Sequence, residues 1–192
     1  MEELQHCEIL KTNINVTNMS DTIKYIGGHL DDLRGKYICV SNVHTTVMSY
    51  ENEEYRKIQN GAAMALPDGA PLSSYSRRKG YKQAQRVTGP DLMLELFAIS
   101  KEKGYRHYFY GATEETLQSM KEVLERDYPG IQIAGMYAPP FRALTPQEDA
   151  QIVAKINESR PDFIWIGPEA GRMDVSAYGT TTGSADWRRS RL

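Results

Sequence analysis

Residues 37–69 read YICVSNVHTTVMSYENEEYRKIQNGAAMALPDG, and this stretch decides the fold. Tyr37 to Val40 is a short apolar run with β-type residues, and Ala63 to Leu66 is a second. Between them lies a polar segment of helical length, from near Thr45 to Gln59, which Asn60-Gly61 ends. A buried strand, a helix and a second buried strand make a parallel βαβ unit, because parallel neighbours need a crossover of this length.

The same alternation continues on both sides. Glu8 to Val16 reads as a strand or hairpin, and Thr17 or Ser20 can cap a helix to about Leu33, stopped by Gly35. Further strands are expected at His107–Tyr110, Ile131–Met136 and Phe163–Ile166. Helices are expected over Leu72–Arg78, Asp91–Lys103 with Pro90 as first residue, Thr113–Asp127 and Thr145–Asn157. The pattern predicts a single α/β domain: a Rossmann-like, open, mostly parallel sheet with helices on both faces.

Composition is consistent with one such domain. The chain has 192 residues, 40% hydrophobic and 25% charged, with a formal net charge of −2. No overall basic field calls for a nucleic-acid partner. Cys7 and Cys39 lack CxxC spacing and read as small thiols in a reducing compartment. The acidic, polar N-terminus is unlike a secretory signal, and no apolar run is long enough for a bilayer. The expected location is cytoplasmic, with any membrane contact peripheral; no amphipathic basic helix stands out to supply it.

In parallel sheets, ligands bind beyond the carboxyl ends of the strands. Those ends carry Ser41-Asn42, Pro67-Asp68-Gly69, Gly111-Ala112-Thr113 and Tyr137-Ala138-Pro139. Asp68 is placed either as a general base in a crevice or as a turn residue bonded to local backbone. Asn42 could fix a substrate hydroxyl or cap the following helix. Arg86 and Thr88, just before Gly89, Pro90 and Asp91, suit a diphosphate at a helix N-terminus, or are an ordinary capped helix with a surface arginine. Gly111 and Ala112 resemble part of a nucleotide turn, but GxGxxG and Walker-type sequences are missing, which argues against an epimerase or dehydrogenase. No His/Cys pair has ligand spacing and no Asp-x-Asp occurs, so neither a metal nor another cofactor is expected.

Taken in order, Asn42-Val43-His44-Thr45-Thr46, Leu66-Pro67-Asp68-Gly69, Arg86-Val87-Thr88-Gly89-Pro90-Asp91-Leu92, Tyr110-Gly111-Ala112, Tyr128-Pro129-Gly130 and Pro139-Pro140-Phe141-Arg142 resemble the signature blocks of one family. This is the WecG/TagA/CpsF glycosyltransferases, glycosyltransferase family 26, and the likeness runs from about Leu10 to Gly167. The resemblance implies an inverting, metal-independent transferase. It would move N-acetylmannosamine or a related sugar from a UDP-sugar to an undecaprenyl-diphosphate-linked amino sugar in cell-surface polymer synthesis. It implies catalysis by Asp68 and substrate contacts from Asn42, Thr45, Arg86, Thr88, Gly89, Asp91, Gly111, Ala112, Tyr137 and Arg142. Work at the cytoplasmic face of the plasma membrane and a homo-oligomer would fit. The alternative is an inactive nucleotide-binding or assembly protein of the same fold.

The pattern breaks after Gly167. The family continues with Pro-Lys-Gln-Glu-x-Trp-Met, whereas this chain reads Pro168-Glu169-Ala170-Gly171-Arg172-Met173-Asp174. Codons for Pro168 to Val175, read one base later, can give Pro-Lys-Gln-Glu-Glu-Trp-Met. Those for Asp186 to Leu192 can give Ile-Gly-Val-Gly-Ala-Ala. Residues 1–167 are therefore expected to form the α/β domain and residues 168–192 a frameshifted, aberrant tail without periodicity. On that reading the sheet lacks a core strand, and the apolar edge at Phe163–Ile166 is exposed.

Overall fold

Helix starts in this chain are written by side chains that accept from backbone N–H groups three residues on. In the computed structural model, which describes residues 4–167 and 179–182, Asn18, Asn42, Asn52, Thr88, Thr113 and Thr145 each do so. The helices they open are α1 (Met19–Gly28), α2 (Val43–Glu51), α3 (Glu53–Gly61), α5 (Gly89–Lys103), α6 (Glu114–Asp127) and α7 (Pro146–Ser159). Helix α4 (Ala70–Arg78) begins instead after Gly69, which has no side chain to cap it. The strands are β1 (His6–Ile9), β2 (Thr12–Asn15), β3 (Lys36–Ser41), β4 (Met64–Pro67), β5 (Arg106–Tyr110), β6 (Gln132–Tyr137), β7 (Phe163–Ile166) and β8 (Gly179–Thr182).

Two expected helices are shorter than the sequence suggested. The first begins at Asn18 rather than Thr17 or Ser20 and ends at Gly28, well before Leu33. The second is broken at Asn52, which terminates α2 and starts α3 with extended backbone. The Asn52 amide oxygen accepts from the Tyr55 N–H, and this local bond competes with continuous helix.

Strands β1 and β2 form the expected hairpin. Its two turn residues, Leu10 and Lys11, have φ of 48° and 64°, a left-handed pair usually given to Asn-Gly. The amide of Asn60 holds them there. Its oxygen accepts from Asn13 N–H at 2.9 Å and its nitrogen donates to the Lys11 carbonyl at 3.0 Å. Asn60→Ala is expected to cost about 1–3 kcal/mol in urea unfolding, and Asn60→Asp, which keeps only the acceptor, roughly half of that.

The larger sheet has the order β4-β3-β8-β7-β5-β6. Strands β3 and β4 pair in parallel, as does β5 with both β6 and β7, while β8 is antiparallel to β3 and β7. The architecture is thus mixed α/β with mostly parallel pairing, compatible with a Rossmann-like single domain. Strand β8 corrects one expectation. The edge at Phe163–Ile166 is not open: β7 lies between β5 and β8, and Phe163, Ile164 and Trp165 are buried. Apart from the backbone of β8, the residues assigned to an aberrant tail lie outside the described residues.

Alternation along the strands feeds two apolar layers. Ile38, Met64, Leu66, Phe109, Phe163 and Trp165 pack with Ile26 of α1, Leu92, Leu96 and Phe97 of α5 and Leu117 and Leu124 of α6. Tyr108, Tyr110 and Ile164 pack with Ile152, Val153 and Ile156 of α7. Cys39 and Ala65 meet the hairpin and Leu72 of α4. Both cysteines are free and buried, and burial pushes the Cys39 thiol up to about 12.

One polar chain crosses the first layer. Trp165 Nε1 donates to His107 Nδ1 at 3.0 Å, so the proton of the neutral ring sits on Nε2, which lies 2.6 Å from Ser100 Oγ. Ser100 donates in turn to the Leu96 carbonyl, and the imidazole stacks on Phe163. His107 is fully buried, and desolvation lowers its pKa to about 4.

Candidate active site

All five parallel strands end on the same side of the sheet, as their pairing with one another and with antiparallel β8 requires. The expected site residues other than Arg142 fall there in two groups, one beyond β3 and β4 and one beyond β5, β6 and β7.

The first group centres on Asp68. Its N–H extends the ladder by donating to the Ser41 carbonyl at 2.8 Å, and Val87 N–H donates to the Pro67 carbonyl at 2.9 Å. Those two bonds bring the loop before α5 alongside the ends of β3 and β4. Arg86 Nε then donates to the Asp68 carbonyl at 2.8 Å and stands 3.9 Å from its carboxylate. The Asp68 side chain is 26% exposed, so it borders solvent without being free in it. Burial pushes its carboxyl above the ordinary range, Arg86 pulls it back, and Asp91 raises it further.

The neighbours are drawn close by small residues. A Cβ on Gly69 would lie 3.8 Å from Asn42 Cα, and one on Gly89 would lie 3.6 Å from the Val40 side chain. The N-termini of α2, α4 and α5 therefore meet around Asp68, each with a partial positive charge. Asn42 and Thr45 form a reciprocal capping box: Asn42 Oδ1 accepts from Thr45 N–H at 3.0 Å, and Asn42 N–H donates to Thr45 Oγ1 at 2.9 Å. Thr88 is likewise a cap, accepting from Asp91 N–H at 3.0 Å. These residues shape the rim, with their oxygens committed to backbone.

Behind the rim runs a buried chain that sequence reading did not single out. Ser41 Oγ donates to Gln59 Oε1 at 2.7 Å, and Gln59 Nε2 donates to the Tyr55 hydroxyl at 3.1 Å. It fixes the end of β3 to α3. Gln59 looked like the polar end of a helix, and nothing local marked it as buried.

The second group lies beyond β5. Gly111 has φ of +122°, and a Cβ there would stand 2.7 Å from the Gly167 carbonyl oxygen, at the end of β7. Gly111 N–H donates to the Tyr137 carbonyl and Gly167 N–H to the Tyr110 carbonyl, both at 3.0 Å. Ala112 follows with φ of 60°. Gly111→Ala is expected to lower stability by on the order of 3 kcal/mol, a fall of roughly 10 °C in thermal midpoint. Gly104→Ala, where φ is +71° but the nearest non-neighbour atom is 3.9 Å away, should cost only about 1 kcal/mol.

Tyr137 stacks on Tyr110 and lines a groove of about 770 Å³ between α6 and β6, with Lys121 and Lys155 on its walls. Arg142 is not brought into either group. It is bound to Glu148 through two bonds of 2.6 and 2.8 Å at the start of α7. Among the described residues no cluster of three His, Cys, Asp or Glu side chains could hold a metal. None of the described helices is long and apolar enough to cross a membrane.

The sequence that builds this crevice is similar to known proteins. The model for the glycosyl transferase WecG/TagA/CpsF family matches residues 7–175. The chain belongs to this family. It is similar to N-acetylglucosaminyldiphosphoundecaprenol N-acetyl-beta-D-mannosaminyltransferase of Bacillus spizizenii, 29% identical over 138 residues, covering 72% of this chain and 52% of the relative. The protein of the same name from Bacillus subtilis is 26% identical over 152 residues, 78% of this chain and 57% of the relative. That from Staphylococcus aureus strain NCTC 8325 is 23% identical over 162 residues, covering 83% and 62%. The WecG/TagA/CpsF member described here thus spans between about half and three-fifths of the curated relatives it matches.

Proposed function

We propose that this chain carries the sugar-transfer centre of an inverting, metal-independent glycosyltransferase on a Rossmann-like open sheet. The donor is UDP-N-acetylmannosamine or a related UDP-sugar, and the acceptor is an undecaprenyl-diphosphate-linked amino sugar at the cytoplasmic face of the membrane. The observation that carries this reading is the pairing of Asp68 with Arg86 at 3.9 Å where three helix N-termini meet.

In the proposed step the acceptor hydroxyl oxygen attacks the anomeric carbon of the donor. The bond from that carbon to the diphosphate oxygen breaks, and UDP leaves with the electron pair. Asp68 takes the hydroxyl proton; a raised pKa makes its carboxylate a better base than an ordinary aspartate. Arg86 and the first N–H groups of α4 and α5 receive the charge that grows on the diphosphate. Asn42, Thr45, Thr88, Gly89 and Asp91 hold the rim, and Gly111, Ala112 and Tyr137 take the rest of the nucleotide sugar. Arg142 stays with Glu148.

A second reading, a nucleotide-binding or assembly protein without transfer activity, is favoured by one feature. From Pro168 onward the sequence lacks the glutamine-containing block of the family pattern. Transfer of radiolabelled sugar from UDP-N-acetylmannosamine to a lipid-diphosphate N-acetylglucosamine analogue separates the two. Product formation supports the transferase. UDP binding in calorimetry with no product supports the second reading.

A further inference from the structure

Helix α2 is built inside out. Its buried side is Thr45, Thr46 and Ser49, while Val43, Val47 and Tyr50 are 47%, 37% and 50% exposed. Spaced four and three residues apart, the exposed three form one stripe along the helix. A helix in a soluble domain normally turns such a stripe toward the core. The stripe also continues onto the hairpin. Leu10 at its tip is 48% exposed, and Lys11 of the same turn sets its ammonium 5.0 Å over the Tyr50 ring.

Helix α4 repeats the arrangement. Tyr75 is exposed and Lys79 lies 5.5 Å above its ring. Through Leu72, α4 packs into the same cluster as Ile9 and Ile14 of the hairpin. Both helices start at the Asp68 rim, where the Gly69 Cβ position is 3.9 Å from Val43 N. Charge is uneven as well. Residues 69–90 contain no acid and five cations, Arg77, Arg78, Lys79, Lys82 and Arg86, in a chain of net charge −2. On α2 the one acid is Glu51, at the end farthest from the rim.

We infer that the outer stripe of α2, the hairpin tip and the basic end of α4 form the surface by which the protein sits on an anionic lipid bilayer. An apolar stripe can enter the headgroup boundary, tyrosines capped by lysines suit the level where apolar and wet regions meet, and the cations complement anionic headgroups. The inference rests on the reading of a lipid-linked acceptor, whose reacting sugar lies just above such a bilayer. It gives the stripe's position a reason: docking there holds the Asp68 rim beside the place where the acceptor diphosphate emerges.

The test is flotation of the full chain with vesicles of equal parts phosphatidylglycerol and phosphatidylethanolamine, beside vesicles of phosphatidylcholine alone. The wild type is expected to float with the anionic vesicles and to be released by high salt. The combined Val43→Ser, Val47→Ser and Tyr50→Ser variant should bind on the order of tenfold more weakly. Each of Arg78→Gln, Lys79→Gln and Lys82→Gln should weaken binding about fivefold on the anionic vesicles only. Far-UV circular dichroism checks that these surface variants remain folded. Wild-type protein that ignores the vesicles, or a triple serine variant that floats like wild type, overturns the inference. So does a stripe variant whose one effect is to turn an oligomer into a monomer in sedimentation, since the stripe would then cover a second copy. Transfer to a short-chain, water-soluble acceptor is measured in parallel and should survive the stripe variant. No transfer by wild type would sink the functional reading and leave the flotation result to stand by itself.

Discussion

Replacing Asp68 by asparagine should abolish most sugar transfer while leaving the donor bound. The substitution keeps the size of the side chain and the backbone bonds from Asp68 N–H to Ser41 and from Arg86 to the Asp68 carbonyl, so the crevice keeps its shape. It removes the carboxylate that takes the acceptor's proton in the proposed step. General-base contributions of this kind are about 10²–10⁴-fold, and that loss is expected in kcat, with donor affinity in calorimetry changed by less than about threefold. A matching pH profile is expected for the wild type. Because burial raises the Asp68 carboxyl, the transfer rate should fall as pH drops through a pKa above that of an ordinary aspartate, and the asparagine variant should lack that limb. An Asp68→Asn enzyme with an unchanged rate would remove the proposed mechanism.

The largest effect on stability is expected at His107. Its ring accepts from Trp165 and meets Ser100, joining β5, β7 and α5 at a fully buried position. His107→Leu leaves the Trp165 N–H buried and unpartnered, and should cost about 3–5 kcal/mol in urea unfolding. The same residue sets an acid limit. In the unfolded chain a histidine titrates near 6.5, but here the folded pKa is about 4. Between those values the unfolded state binds a proton that the folded state refuses, so stability is lost as pH falls from about 6.5 toward 4. The loss due to His107 should reach about 2 kcal/mol between pH 7 and pH 5, and the wild type should show that much more slope than His107→Leu over this interval. Equal slopes would mean that the imidazole is protonated within the fold.

Much of this architecture could be read from residue order because local and global signals agree. Tyr37–Val40, Ala63–Leu66 and Phe163–Ile166 are apolar runs of strand length bounded by turn residues, and each became a strand. Thr113 and Thr145 are unambiguous caps. The misses have particular causes. At Asn52 an amide interrupts a segment whose composition looks helical throughout. Asn60 reads as a helix stop, yet its amide stabilises a turn some fifty positions earlier in the chain. Helix α2 gives no apolar period toward the core because its buried face is made of threonines and serine. For the same reason its sequence does not read as an amphipathic helix, although Val43, Val47 and Tyr50 line its outer side. At the site, Asp68 and Arg86 were legible as a pair of loops at strand ends, and the structure joins them. Arg142 carried the same kind of signal and is held elsewhere, bound to Glu148, whose carboxylate also closes the capping box with Thr145 at the start of α7.

Strand β8 bears on the order in which this protein is made. It joins β3 to β7, pairing Lys36 with Thr182 and Ile164 with Thr181. A ribosome delivers β3 and β4 early and β5, β6 and β7 later, so for most of synthesis the nascent chain holds two half-sheets with unpaired inner margins. They can be zipped together only after residue 182 has cleared the exit tunnel. Contacts between such distant parts of a chain form slowly, and until then each margin is open to strangers. A chaperone that shields β-strand margins during translation would serve this fold at its centre.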